Sequence, residues 1–62
     1  MPSRSYYINR IIYWAKLVEH DMTVARQLKR NGRTEDVQSY VRTARAANRR
    51  LIAWVNHLKA YC

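Results

Sequence analysis

Most of the chemistry this chain can offer is carried by arginine. Arg42, Arg45 and Arg49 recur at spacings of three and four, with Lys59 continuing the line and Arg50 to one side. On a helix, that spacing puts the first three on one outward face. Guanidinium groups grip phosphate and carboxylate oxygens bidentately, which a lysine ammonium cannot do. Arginine outnumbers lysine nine to three here. A second group, Arg26, Lys29, Arg30 and Arg33, falls within eight residues. Cations near a helix C-terminus offset its dipole, but four are more than that requires. The expected chemistry is electrostatic: Arg26, Lys29, Arg30, Arg33, Arg42, Arg45, Arg49 and Arg50 bind a nucleic-acid backbone or an acidic protein surface.

Other reactive side chains do not assemble in the same way. His20 and His57 fall ~20 Å apart along a folded-back rod, too far for a shared metal or an acid–base pair. There is no Cys/His set at zinc spacing, no glycine-rich phosphate loop, no nucleophile with a base, and no paired carboxylate on an inner face. The sequence therefore predicts a non-enzyme with no catalytic residue, metal, cofactor or small-molecule substrate. Asp21 falls among Trp14, Val18, Val24 and Leu28, where a carboxylate needs a cation beside it. Arg45, or an arginine of another chain, is the expected mate, as an ion pair that fixes register rather than a catalytic group.

The elements that position these residues follow from Asn31-Gly32-Arg33-Thr34, which contains the sequence's single glycine. Glycine takes up the left-handed conformation that ends a helix. Thr34 is then placed to cap a second helix, with Glu35 and Asp36 at its positive end. A stop followed at once by a start predicts an all-α antiparallel hairpin, with helices over about 5–30 and 35–61, in a single domain, 1–62. Ser3 or Ser5 can cap the first helix, and Met1 to Arg4 read as a frayed lead-in.

The first helix has its regular seam at Ile8, Ile11, Ala15, Val18, Met22 and Ala25, flanked by Tyr7, Trp14 and Leu28. Another apolar stripe runs through Tyr6, Tyr13, Leu17 and Val24. One partner helix covers one stripe, so a helix this apolar needs further cover. Tyr6, Tyr13, Trp14, Leu17 and Val24 are the expected oligomer or protein-partner interface. The second helix has a cleaner seam: Val37, Tyr40, Ala44, Ala47, Leu51, Trp54, Leu58 and Tyr61, with Val41 and Val55 alongside. Folding back about the loop sets Trp54 near Ile11, Leu51 near Trp14, Ala47 near Val18 and Val37 near Leu28. The aromatic residues gather at the end away from the loop.

Composition sets the outer bounds. Sixty-two residues are 48% apolar, carry a net charge of +8 and include one cysteine, so no internal disulfide staples them. Small unstapled chains of this kind often oligomerise, and two such rods packed together make a four-helix bundle. The excess of positive charge predicts an acidic partner. The apolar run Tyr6 to Val18 is broken by Arg10 and Lys16, which argues against a membrane span and a secretory signal. A cytoplasmic setting is therefore expected, in which Cys62 stays reduced.

In length and layout the chain resembles the Rop-like helical hairpins of plasmid copy control. That resemblance implies a dimeric four-helix bundle that binds RNA; no functional residue is carried over from it. The expected function is a small regulator binding RNA or DNA through the arginine face. The alternative is an inhibitor or antagonist of the phage or mobile-element kind, docking on an acidic or apolar surface of a larger protein. Interfacial membrane binding by the first helix is a third course.

Overall fold

The computed structural model describes residues 3–61. The expectations for Met1, Pro2 and Cys62 lie outside them. The chain forms α1, Arg4–Arg30, and α2, Thr34–Tyr61, packed antiparallel as a helical hairpin. The rod measures 47 × 14 × 13 Å. No described helix is long and apolar enough to cross a membrane.

Neither helix contains glycine or proline, so nothing interrupts its backbone ladder. At the start of α1, Ser3 takes the cap position with an extended backbone, and its carbonyl accepts from the Tyr6 N–H at 3.0 Å. Its side chain makes no capping bond, and Ser5 already lies inside the helix.

The loop terminates α1 as its sequence implies. Gly32 sits at φ +75°. Its N–H donates to the Lys29 carbonyl at 3.2 Å, and the Arg33 N–H reaches back to the Leu28 carbonyl at 2.9 Å. This pair of bonds is a Schellman motif, satisfying carbonyls that the helix itself leaves free. Thr34 differs from expectation. It is the first residue of α2, with Arg33 ahead of it, so it stands one position too far in to act as the cap. Arg33 instead clamps Asp36 one helical turn on, with Nη2 to Oδ2 at 3.0 Å.

The seam of α2 is the expected one. Ala44 and Ala47 are buried, and Val37, Tyr40, Val41, Leu51, Trp54, Val55 and Leu58 are half-buried. Tyr61, at its end, is more open. The seam of α1 is rotated by one position from expectation. Tyr7, Ile11, Trp14, Val18, Asp21, Ala25 and Leu28 form the inward line, in alternating steps of four and three. Ile8 and Ala15, expected inside, are exposed. The physical reason is the aromatic end: turning α1 this way sets Tyr7 against both Trp54 and Tyr61, with ring centroids 6.0 and 5.4 Å apart. That contact carries Asp21 into the middle of the seam.

The two ends of the rod are packed differently. From mid-rod to the loop the buried residues are Ala47, Ala44, Ala25 and Asp21, and no large side chain among the described residues is fully buried. Small side chains let the helix axes approach closely. At the open end a network of rings fills the gap, Tyr61 to Tyr7 to Trp54 to Tyr6. Arg10 lies over both Tyr6 and Trp54, at 5.7 and 5.8 Å from the centroids.

Candidate functional site

Arg42, Arg45 and Arg49 are all exposed on α2. With a rise of ~1.5 Å per residue, they span ~10 Å along the rod. Arg26, Lys29, Arg30 and Arg33 are exposed too, around the loop. Among the described residues, Arg33 is the one arginine within ion-pair distance of a carboxylate. The ridge is thus a row of cations whose charge no neighbouring acid cancels. Glu19 and Glu35 are exposed, while Asp36 is taken by Arg33. A long, exposed guanidinium row, with its donors uncommitted, can accept a series of anionic oxygens.

Arg50 belongs elsewhere. Its guanidinium lies over the Trp14 ring, 5.8 Å from the centroid, and it lines a groove rather than the ridge. Arg45 stands at the ridge's edge, where it borders a second groove on the opposite flank. These two grooves, one on each side of the hairpin, are where helix packing leaves apolar surface open.

The first groove has a volume of about 460 Å³ and is walled by Trp14, Leu17, His20, Asp21, Ala46 and Arg50 among others. Tyr13 lies one helical turn before Leu17 and Val24 one turn after His20, so the stripe expected from the sequence runs along this flank. Tyr13 is 51% exposed and Tyr6 43%. Leu17 and Val24 are half-buried, as is Trp14, which faces α2 and is shielded by Arg50. Asp21, 7% exposed, has its carboxylate here. Its partner is not Arg45, which lies on the opposite flank, but His20, with Nδ1 to Oδ1 at 3.2 Å. His20 itself is largely exposed. The Trp14 indole N–H is buried without an acceptor.

The second groove, about 430 Å³, is walled by Val18, Met22, Val41, Ala44, Arg45 and Asn48. Ile52 lies one helical turn beyond Asn48, and Ile8 lies four turns before Met22 along the same face. Ile8, Ile12 and Ile52 are all well exposed, Ile52 at 51%. Sequence reasoning left Ile12 and Ile52 unplaced. Their signal was available: each lies one residue beyond a seam residue, Ile11 or Leu51, and so borders the buried stripe. The other histidine, His57, packs on Trp54 at 5.6 Å, near the open end.

Compared with protein-family models, curated proteins and solved structures, the chain matches none. Its reading therefore rests on its own geometry: an uncancelled cation row on the back of α2, a basic loop end, an aromatic open end and two apolar flanks.

Proposed function

We propose that this chain is a small non-enzymatic regulatory protein that binds nucleic acid through its phosphate backbone, acting in the cytoplasm as a homodimeric four-helix bundle. The observation that carries the reading is the ridge of Arg42, Arg45 and Arg49, exposed and without a carboxylate partner, on a chain of net charge +8. Each phosphate neutralised releases condensed counterions, so such a surface gains most of its affinity from entropy and loses it in salt. Arg26, Lys29, Arg30 and Arg33 extend the same field around the loop. The hairpin has no separate recognition helix, and its two long helices suit lying along a groove or a folded RNA, with selectivity from shape.

The dimer is supported by surface area. A compact monomer of 7.5 kDa would expose about 4,200 Å². This hairpin exposes 5100 Å². The excess, roughly 900 Å², is the share one partner contributes to a standard stable interface.

Fluorescence anisotropy with labelled RNA hairpins and DNA duplexes tests the function. Affinity is expected to fall on the order of a thousandfold between about 50 and 200 mM salt if about six phosphates are touched. Changing Arg42, Arg45 and Arg49 to Ala should flatten the logarithmic salt slope by about three. Absence of binding to both nucleic acids, or binding indifferent to salt, rejects the reading. The flank of Ile8, Ile12 and Ile52 favours a second reading, a protein antagonist seated on an apolar surface of a larger protein.

A further inference from the structure

The first groove contains what an apolar flank alone does not: a charge buried in the seam. Asp21 occupies a central inward position, beside the small residues Ala46 and Ala47, and opens into the groove that Trp14, Leu17 and Arg50 share. Its single described partner, His20, is its chain neighbour and points largely into solvent. A buried carboxylate served from one side is costly unless a further cation reaches it. Arg50 lines the same groove further towards the open end, where it is held over Trp14.

We propose that a second copy of the chain packs antiparallel on this groove about a two-fold axis at mid-rod, exchanging Asp21–Arg50 ion pairs in both directions. The inference rests on the dimeric reading above and specifies its surface and orientation. Leu17 is the midpoint of Arg4–Arg30, and Ala47 is nearly that of Thr34–Tyr61, so greatest overlap puts the axis beside these two groove residues. Asp21 stands ~6 Å from that level towards the loop, and Arg50 ~4.5 Å from it towards the open end. A perpendicular two-fold swaps those directions. Each Asp21 therefore comes level with the partner's copy of Arg50, well within the reach of an arginine.

Charge settles the orientation. Parallel packing would bring two sets of Arg26, Lys29, Arg30 and Arg33 side by side. Antiparallel packing about that axis separates them by ~27 to ~40 Å along the rod, several times the ~8 Å screening length at physiological salt. It also sets each basic loop beside the aromatic end of its partner. The opposite flank offers no such self-complementarity: Arg45 borders that groove, and no carboxylate lines it. An interface on the first groove covers Tyr6, Tyr13, Leu17 and Val24 and leaves the Arg42–Arg49 ridge open.

The decisive experiment is an intermolecular distance that leaves the seam untouched. Lys29→Cys in a Cys62→Ser background is spin-labelled, and pulsed dipolar spectroscopy is read beside sedimentation equilibrium. The proposal requires a dimer with a label separation of ~36 Å or a little more, because Lys29 stands ~18 Å along the rod from an axis at Leu17. A separation of ~20 Å, about two helix diameters, means parallel packing and overturns it. A monomer at tens of micromolar overturns it as well. Tyr13→Glu, on the exposed part of the first flank, should raise the dimer dissociation constant on the order of a hundredfold, while Ile52→Glu leaves it unchanged. The reverse pattern assigns the interface to the other flank and rejects the proposal. Mixing an Asp21→Arg chain with an Arg50→Asp chain should favour the heterodimer about tenfold over either homodimer. Anisotropy titration of the unsubstituted chain reads nucleic-acid binding separately. A monomer that still binds RNA in a salt-dependent manner removes the dimer and its surface but leaves the nucleic-acid reading standing.

Discussion

The loop half and the open half of the rod solve one packing problem with opposite materials. Between mid-rod and the loop the buried residues Ala25, Ala44 and Ala47 are small, which lets the helix axes approach closely. Covalent connection and the Schellman bonds already hold the chain there, so little side-chain area is needed. At the other end nothing covalent joins the helices. Tyr7, Trp54 and Tyr61 supply area instead, in tilted ring contacts, with Arg10 laid across Tyr6 and Trp54. A continuous helical seam can thus change from close contact to bulky infill along its length without breaking period.

Perturbing each half should give effects of different kind and size, measured by thermal and urea unfolding at one fixed protein concentration. Trp54→Ala should be the most damaging, at about 3 kcal/mol, because one change removes the ring that Tyr6, Tyr7 and Arg10 all meet. A loss below about 1 kcal/mol would mean that the rings merely decorate the surface. Ala44→Leu should follow, at about 2 kcal/mol, this time from overfilling a site made for a methyl group. Were it neutral, the close approach near the loop would not be a real constraint.

Gly32→Ala comes next, at about 1 kcal/mol. An added Cβ meets nothing within 4 Å, so the cost is the left-handed backbone alone. Gly32→Asn should therefore recover part of the loss. Smallest is Asp36→Asn, at a few tenths of a kcal/mol, since the Arg33 pair is well exposed and salt screens it. Near-equality of these last two would sharpen the comparison, by showing that the loop is held by its ion pair as much as by its backbone.

The same contrast explains what could be read from the residues alone. The loop was legible because a lone glycine between two uninterrupted helical stretches has few other uses. The α2 seam was legible because its apolar and arginine faces are cleanly separated. The α1 seam was not, because apolar residues lie around most of that helix and adjacent registers score alike. Ring contacts chose between them, and these are tertiary. Asp21 illustrates the difficulty: its apolar surroundings are evident in the sequence, but of the two expected mates, Arg45 or an arginine of another chain, the realised rotation puts Arg45 on the other flank. The eight candidate cations were all found on the surface, yet only the fold separates Arg50, drawn onto Trp14, from the row formed by Arg42, Arg45 and Arg49.

The tight loop also gives the molecule a direction in time. Contacts beside Gly32 join residues close in the chain and cost little entropy to close, whereas the Tyr7–Tyr61 contact closes nearly the whole chain. Assembly should begin at the bend and zip outward, and spontaneous opening should start at the ring cluster and run the other way. Amide protons near Leu28 and Ala44 are then the last to exchange, and the free ends of both helices the first.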